Sequence, residues 1–189
     1  MKFSKISSII FISALAVSFQ LSAFSAPSPV AVRSLDITKY VGDWYQISHV
    51  PLNSEFNQQL CACSRQRLGL SDGSVSVQNT CNASSPTGPL IDIKGFANYT
   101  DVAVSPAQFT VTLQIAPNVT AVGPYWVIGV DQDYRYAVVS NDTGTSLYIL
   151  SRTPVMDPDL YNDAIAIAIQ QKIDLRNLQP TVHKGCVYP

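Results

Sequence analysis

The chain of 189 residues has no block of basic residues and no long apolar run after its first two dozen positions. Without a basic block it lacks the electrostatic footprint for binding nucleic acid or an anionic membrane surface. Without a later run of about 18 apolar residues, no further segment is predicted to cross a membrane as a helix. Its two histidines, His49 and His183, form neither an HxH nor an HxxxH pattern. The sequence therefore predicts no metal site and no cofactor.

The first 25 residues are typical of a secretory signal peptide. Lys2 and Lys5 precede an apolar core at 9–18, and Ala23 and Ser25 are small residues at the −3 and −1 positions of a cleavage site. An uncleaved anchor is the alternative, which the short apolar core disfavours. Cleavage after Ser25 leaves 164 of the 189 residues, with 10 basic and 13 acidic side chains and a net charge of −3. We expect a secreted single domain at 26–189, large enough for a real core.

Four cysteines remain after cleavage: Cys61, Cys63, Cys81 and Cys186. An even number of cysteines in a secreted chain predicts two disulfides. The CxC spacing by itself is only a weak signal for metal binding.

Four N-x-S/T sequons lie at Asn82, Asn98, Asn118 and Asn141. They are candidate glycosylation sites if the chain passes through a eukaryotic secretory route, where attached glycans would keep these segments at the surface.

The middle of the chain alternates short β-rich runs with turn residues, which predicts eight strands. The runs lie at 44–50, 61–70, 74–80, 90–100, 108–116, 125–131, 134–140 and 145–152. No interval between them is long enough for a crossover helix, so the sheet is predicted to be antiparallel. Eight strands in sequence order favour closure into an up-and-down barrel spanning about 40–152, because closure removes both edges. The fold class is therefore all-β, with an interior that side chains fill or that holds one small ligand.

The hydrophobic period changes after Pro154. Asp157 can cap a helix whose first position is Pro158, so we expect one helix at about 158–172. Its apolar side needs a surface, and the outside of the barrel is the large one available. The polar tail after this helix is predicted to be irregular and tied back by Cys186.

Alternation in the second strand separates two faces. Arg65 and Arg67 are predicted to point outward, because charged arginine is rarely buried without a partner. The inward set is then Ala62, Ser64, Gln66 and Leu68, with Val75, Val77 and Asn79 opposite. This mixture of small, polar and apolar residues is typical of a ligand cavity, the alternative being a loosely packed or water-filled interior. The same register turns Cys81 inward while Cys63 faces out, which requires a bulge or the chain leaving the barrel at Cys81.

Three stretches in this order resemble the signatures of the lipocalin family. Gly42-Asp43-Trp44-Tyr45 resembles its G-x-W motif, the stretch 124–140 its second region with Asp131 as the motif acid, and 147–154 its third region with Arg152. Val130 and Gln132 depart from the T-D-Y pattern of the second region. The resemblance covers about 35–185 and is greatest to the apolipoprotein D and bacterial outer-membrane lipocalin branch. The cysteine that anchors the bacterial members to lipid is absent after the signal.

The resemblance implies a calyx, a barrel with one open mouth that binds a small hydrophobic molecule. It implies that Trp44 and Arg152 stack at the closed end in a structural role, with Gly42 giving the chain room to turn. It also implies that Tyr125 and Tyr148 face the pocket, and alternation adds Val127 and Leu150. The pairing it suggests is Cys61–Cys186 with Cys63–Cys81, and Cys61–Cys81 with Cys63–Cys186 stays open as the alternative.

The leading functional prediction is a secreted carrier of a fatty acid, lysophospholipid, retinoid, steroid or bilin, and not an enzyme. One alternative is a lipocalin-type isomerase that uses the inward Cys81 thiol. A second alternative is an interaction module for an unknown cell-surface receptor, with Phe56 of the loop 51–59 as an exposed anchor. Asp131 and Asp133 are interpreted as turn-capping groups and not as a catalytic pair.

Overall fold

Nine strands and two helices follow one another in a computed structural model that describes residues 28–51 and 61–188. The predicted signal peptide at 1–25 and the loop residue Phe56 lie outside the described residues. In chain order the elements are α1 (Ile37–Tyr40), β1 (Gly42–Val50), β2 (Cys61–Ser71), β3 (Ser74–Ala83), β4 (Leu90–Tyr99), β5 (Gln108–Ala116), β6 (Val119–Val130), β7 (Tyr136–Ser140), β8 (Leu147–Ser151), α2 (Pro158–Gln170) and β9 (Gln179–Pro180).

Strands β2 to β8 pair with one another in sequence order, each antiparallel to its neighbour. β1 pairs with β8 on one side and with β2 on the other, which closes the barrel. The predicted eight-stranded antiparallel barrel is therefore confirmed. β6 begins at Val119, earlier than the predicted residue 125, and α1 and the short β9 were not predicted.

The C-terminal tail forms part of the barrel wall, although it was predicted to be irregular. β1 and β2 pair only from Gly42 to Tyr45 on the β1 side. Farther along β1, the tail lies between the two strands: the Thr181 amide donates to the Ile47 carbonyl at 2.9 Å, and the Cys63 amide donates to the Val182 carbonyl at 2.8 Å. A period-2 pattern could not reveal this segment because it contributes only two ladder residues, Gln179 and Pro180.

A β-bulge at the start of β2 decides the disulfide pairing. The β2–β3 register shifts between Ala62 and Arg65, and Cys63 inside this interval has φ of 58°. The bulge reverses which side chains at the start of β2 point inward. Cys61 therefore forms a disulfide with the inward Cys81, while Cys63 forms one with Cys186 of the tail. The pairing Cys61–Cys186 with Cys63–Cys81 was therefore wrong, and the alternative is the one observed.

The bulge also corrects two predicted side-chain positions. Ala62 pairs with Asn82, which alternation places on the outer face, so the prediction that Ala62 points inward was wrong. Arg65 does lie on the outer face, beside Asp43 at 3.9 Å, but only 4% of its side chain is exposed. The tail covers this face, since Tyr188 packs edge-on against Tyr45, the register partner of Arg65.

The second helix packs outside the barrel, as predicted. Asp157 accepts a hydrogen bond from the Asp159 amide at 2.8 Å, and Pro158 opens the helix, which ends at Gln170 and not near 172. Its fully buried Ala164 and Ala168 pack with Ile128, Val138 and Ile149 of the barrel wall. At Gly129 a Cβ atom would lie 2.8 Å from the Ile167 side chain, so any larger residue there would force Ile167 to shift. Within the described part of the chain, neither helix is long and apolar enough to span a membrane.

Candidate functional site

The closed end of the barrel is sealed by Trp44 and Arg152, the contact that the resemblance implied. Trp44 is fully buried, and its indole N–H donates to the Tyr40 carbonyl at 2.7 Å. The Arg152 guanidinium lies 3.6 Å from the center of the Trp44 ring. Burial lowers the pKa of Arg152 without neutralising it, because an arginine side chain keeps its proton in proteins. The floor is thus closed by a stacked cation.

Arg152 also ties the surrounding backbone together. Its Nη2 donates to the carbonyls of Lys39 and Tyr40, the last two residues of α1, at 2.6 and 3.1 Å. Its Nη1 donates to the Asp43 carbonyl at 2.9 Å, and its Nε donates to the Tyr134 carbonyl at 3.2 Å. One side chain therefore joins α1, β1 and the loop between β6 and β7.

Directly inside this floor lies a narrow cavity, which with the side chains in these positions has room for little more than about one water molecule. Helix α1 and strands β2 to β6 supply its walls. The lining residues are Ile37, Tyr40, Gln66, Leu68, Val75, Val77, Ala97, Phe109, Val111 and Tyr125.

A short chain of hydrogen bonds crosses the cavity wall. The hydroxyls of Tyr40 and Tyr125 lie 2.8 Å apart, and the Tyr125 hydroxyl donates to Gln66 Oε1 at 2.9 Å. Gln66 Nε2 donates in turn to Asn79 Oδ1 at 3.2 Å. Burial raises the pKa of both tyrosines above the usual value, so both stay neutral at physiological pH. The polar groups of the wall satisfy one another and leave the cavity predominantly apolar.

The interior between this cavity and the mouth is also uncharged. Tyr148 stacks on His49, with ring centers 6.4 Å apart and planes within 8°. Burial lowers the pKa of His49 below 6.5, so its ring is neutral at pH 7. Among the described residues that the strand registers turn inward, none is lysine, arginine, aspartate or glutamate. A ligand that carries a charge finds no counter-ion on this part of the wall.

Half of the ten predicted ligand-binding residues line the cavity, namely Gln66, Leu68, Val75, Val77 and Tyr125. Asn79 reaches it only through its hydrogen bond with Gln66.

The other four predicted residues do not line the cavity. Ser64 lies within the bulge of β2. Val127 and Leu150 are buried in the same core cluster as the lining residues Val75 and Val77, but they do not border the cavity. Tyr148 lies nearer the mouth, against His49.

Sequence reasoning missed Ile37, Tyr40, Ala97, Phe109 and Val111 of the lining. The last three follow from alternation, because Ala97 pairs with Val111 and Phe109 pairs with Tyr125. Ile37 and Tyr40 belong to α1, a four-residue helix with no periodic signal of its own.

The groups considered for catalysis have structural roles. Cys81 faces inward as predicted, but all four cysteines are disulfide-bonded and none offers a thiol. Asp131 accepts hydrogen bonds from the Asp133 amide and from the amide and side chain of Arg135, which agrees with its interpretation as a turn cap. No cluster of three or more metal-ligating side chains occurs in residues 28–51 and 61–188.

Comparisons with known proteins agree with this architecture. A family model described as a lipocalin-like domain matches residues 35–183. Apolipoprotein D of Mus musculus is 28% identical over 167 residues, which cover 85% of this chain and 83% of that protein. The outer membrane lipoprotein Blc of Escherichia coli K12 is 26% identical over 168 residues, which cover 87% and 90%. These relatives confirm the predicted branch.

Among solved structures, insecticyanin from the tobacco hornworm Manduca sexta superposes with a TM-score of 0.65 at 19% identity. The match covers 86% of this chain and 88% of insecticyanin. At that identity the likeness concerns the fold alone.

Proposed function

This chain belongs to the lipocalin-like family, whose members bind small hydrophobic ligands, and we propose that it carries one slender molecule with a single alkyl chain. The observation that supports this is the narrow, predominantly apolar cavity above the Trp44 floor. Of the predicted ligand classes, a fatty acid or a lysophospholipid has such a chain. The fused or extended ring systems of steroids, retinoids and bilins need a wider space.

The same geometry supports one orientation of the ligand. The floor is closed by Trp44 and Arg152, so the molecule enters from the opposite end, where β1 ends at Val50 and β8 begins at Leu147. The described wall offers no charge to a head group, and its polar chain is already internally hydrogen-bonded. The alkyl tail therefore points to Trp44 and the head group stays at the mouth.

A chain-length series tests this proposal. Saturated fatty acids of increasing length are titrated by displacement of a fluorescent hydrophobic dye. Each methylene buried contributes about 0.8 kcal/mol, or roughly a fourfold gain in affinity, until the tail reaches the floor. A lysophospholipid and a fatty acid of equal chain length should bind alike within about threefold, because their head groups lie outside. Affinity that is insensitive to chain length would refute the proposal.

A cavity-blocking variant provides the control. Ala97 lies in the cavity wall and is 5% exposed, so Ala97→Leu places three more carbons in the cavity and should lower affinity at least tenfold. Thr112→Leu adds bulk on the outer face of β5, since its register partner Phe96 is exposed, and should leave affinity unchanged. Equal affinity for Ala97→Leu and Thr112→Leu would place the ligand elsewhere.

We also propose that residues 1–25 are removed, that 26–189 is secreted as a single domain, and that the protein binds its ligand without catalysis. The two disulfides support an oxidising compartment, and the absence of a thiol among the described cysteines supports binding. N-terminal sequencing of protein from the culture medium should begin at Ala26. A receptor stays a prediction, and so do glycans at Asn98, Asn118 and Asn141, whereas the hydrogen bonds of Asn82 set that sequon apart.

A further inference from the structure

Phe96 is an exposed aromatic residue on the outer face of β4. The residue is 45% exposed, and its register partners on the neighbouring strands are the small polar residues Ser76 and Thr112. Two positions farther along the same strand lies the sequon Asn98-Tyr99-Thr100. We propose that Asn98 carries an N-linked glycan whose first sugar packs on the Phe96 ring.

Strand geometry brings the two side chains together. Ala97 between them is buried in the barrel interior, so Phe96 and Asn98 both point outward. Residues two apart on a strand lie about 6.6–6.8 Å from each other on the same face. A sugar joined to the Asn98 amide therefore projects beside the Phe96 ring, and stacking of its C–H face on the ring removes apolar surface from water.

The sequon at Asn82 has a different environment. Asn82 Nδ2 donates to the Pro86 carbonyl at 2.9 Å and to the Gly88 carbonyl at 3.2 Å. Both amide hydrogens are thus used within the β3–β4 loop, and a glycan would replace one of them. Asn98 is exposed on a regular strand, so glycosylation there displaces no such loop contact. We expect Asn98 to be glycosylated and Asn82 to be unmodified in folded, secreted protein.

Site occupancy is measured directly by expressing the chain in insect cells with the host's own secretion leader in place of residues 1–25. This leader guarantees passage through the secretory route, and peptide mass spectrometry of protein from the medium identifies each glycan. Occupied Asn98 with unmodified Asn82 is the expected result. Secreted protein in which Asn98 is unmodified would overturn the inference.

The packing on Phe96 is tested in a chain whose other sequons are removed by Ser84→Ala, Thr120→Ala and Thr143→Ala. An endoglycosidase that leaves the first N-acetylglucosamine should leave Tm almost unchanged, whereas an amidase that removes the whole glycan should lower Tm by roughly 2–4 °C. In Phe96→Ser the amidase should lower Tm by less than half as much. An equal loss with and without Phe96, or complete loss after trimming to one sugar, would contradict the packing. Ligand binding is not involved, so the outcome is independent of the proposed carrier function.

Discussion

Replacement of Arg152 by lysine tests how the closed end of the barrel is held. Lysine keeps the positive charge but presents a single ammonium group in place of the planar fork. The four hydrogen bonds of Arg152 reach carbonyls of Lys39, Tyr40, Asp43 and Tyr134, which lie in three separate elements. An ammonium on a flexible stem can serve one or two of these carbonyls.

At least two hydrogen bonds to a charged donor are then lost, each contributing about 1.5–3 kcal/mol. Because the guanidinium is only half-buried, water replaces part of this loss, and we expect the free energy of unfolding to fall by about 2–4 kcal/mol. For a chain of this size that corresponds to a Tm lower by roughly 5–15 °C. Ligand affinity should change little, since Arg152 stacks on Trp44 outside the cavity lining.

Urea unfolding followed by tryptophan fluorescence measures the change. Arg135→Lys is the matched control, because Arg135 is an exposed arginine whose side chain lies 2.6 Å from Asp131 in the β6–β7 turn. Arg135 donates two hydrogen bonds to Asp131, but its side chain is 54% exposed and lysine keeps the ion pair, so we expect Arg135→Lys to lower the free energy of unfolding by about 1 kcal/mol or less. Equal stability of Arg152→Lys and Arg135→Lys would refute the role given to Arg152. Loss of ligand binding with stability intact would show that Arg152 belongs to the binding site.

Three further predictions concern the tail, the acid limit and the polar chain of the cavity. Cys63→Ser combined with Cys186→Ser removes a disulfide between residues 123 positions apart, so the free energy of unfolding should fall by about 2–5 kcal/mol. Limited proteolysis should then remove the tail. A tail that resists the protease as it does in the unsubstituted protein would contradict this. The hydrogen bond from Arg67 lowers the pKa of Asp43 in the folded protein. The ionised Asp43 therefore stabilises the fold above its unfolded pKa of 3.8, and this stabilisation is lost as the pH falls below that value. Asp43→Asn should flatten the decline of Tm below about pH 4, and an unchanged decline would rule this out. Tyr125→Phe removes the hydroxyl between Tyr40 and Gln66 and should lower the free energy of unfolding by about 1–3 kcal/mol, measured in urea, with the chain-length dependence of binding preserved.

The barrel was predictable because its signals are local. Alternation and turn residues located β1 to β8, and the cap Asp157 with Pro158 located the start of α2. The stacking of Trp44 with Arg152, more than a hundred positions apart, followed from a family resemblance and not from any spacing rule.

The disulfide pairing was mispredicted because one residue in an unusual conformation moves the preceding side chains of β2 to the opposite side of the barrel wall. Cys63 at φ of 58° is not glycine, and no glycine, proline, asparagine or aspartate marks the bulge in the run from Cys61 to Arg65. The buried position of Arg65 has a related cause. Its cover is the tail around Tyr188, whose place in the fold depends on the Cys63–Cys186 bridge.

Half of the predicted site was displaced because inward direction does not distinguish empty space from filled space. Val127 and Leu150 point inward by the same alternation as Val75 and Val77. All four residues belong to one core cluster, yet only Val75 and Val77 border the cavity. That difference depends on the volumes of all the strands together, and no single strand carries it.

A single alkyl chain is proposed to occupy the cavity above Trp44. Native mass spectrometry of protein purified from its producing cells without detergent measures this directly, with Ala97→Leu as the blocked control. We expect one bound molecule per protein, with a single saturated or weakly unsaturated alkyl chain, and no bound molecule in Ala97→Leu. A ring-system ligand, or the same bound molecule at the same occupancy in Ala97→Leu, would contradict it.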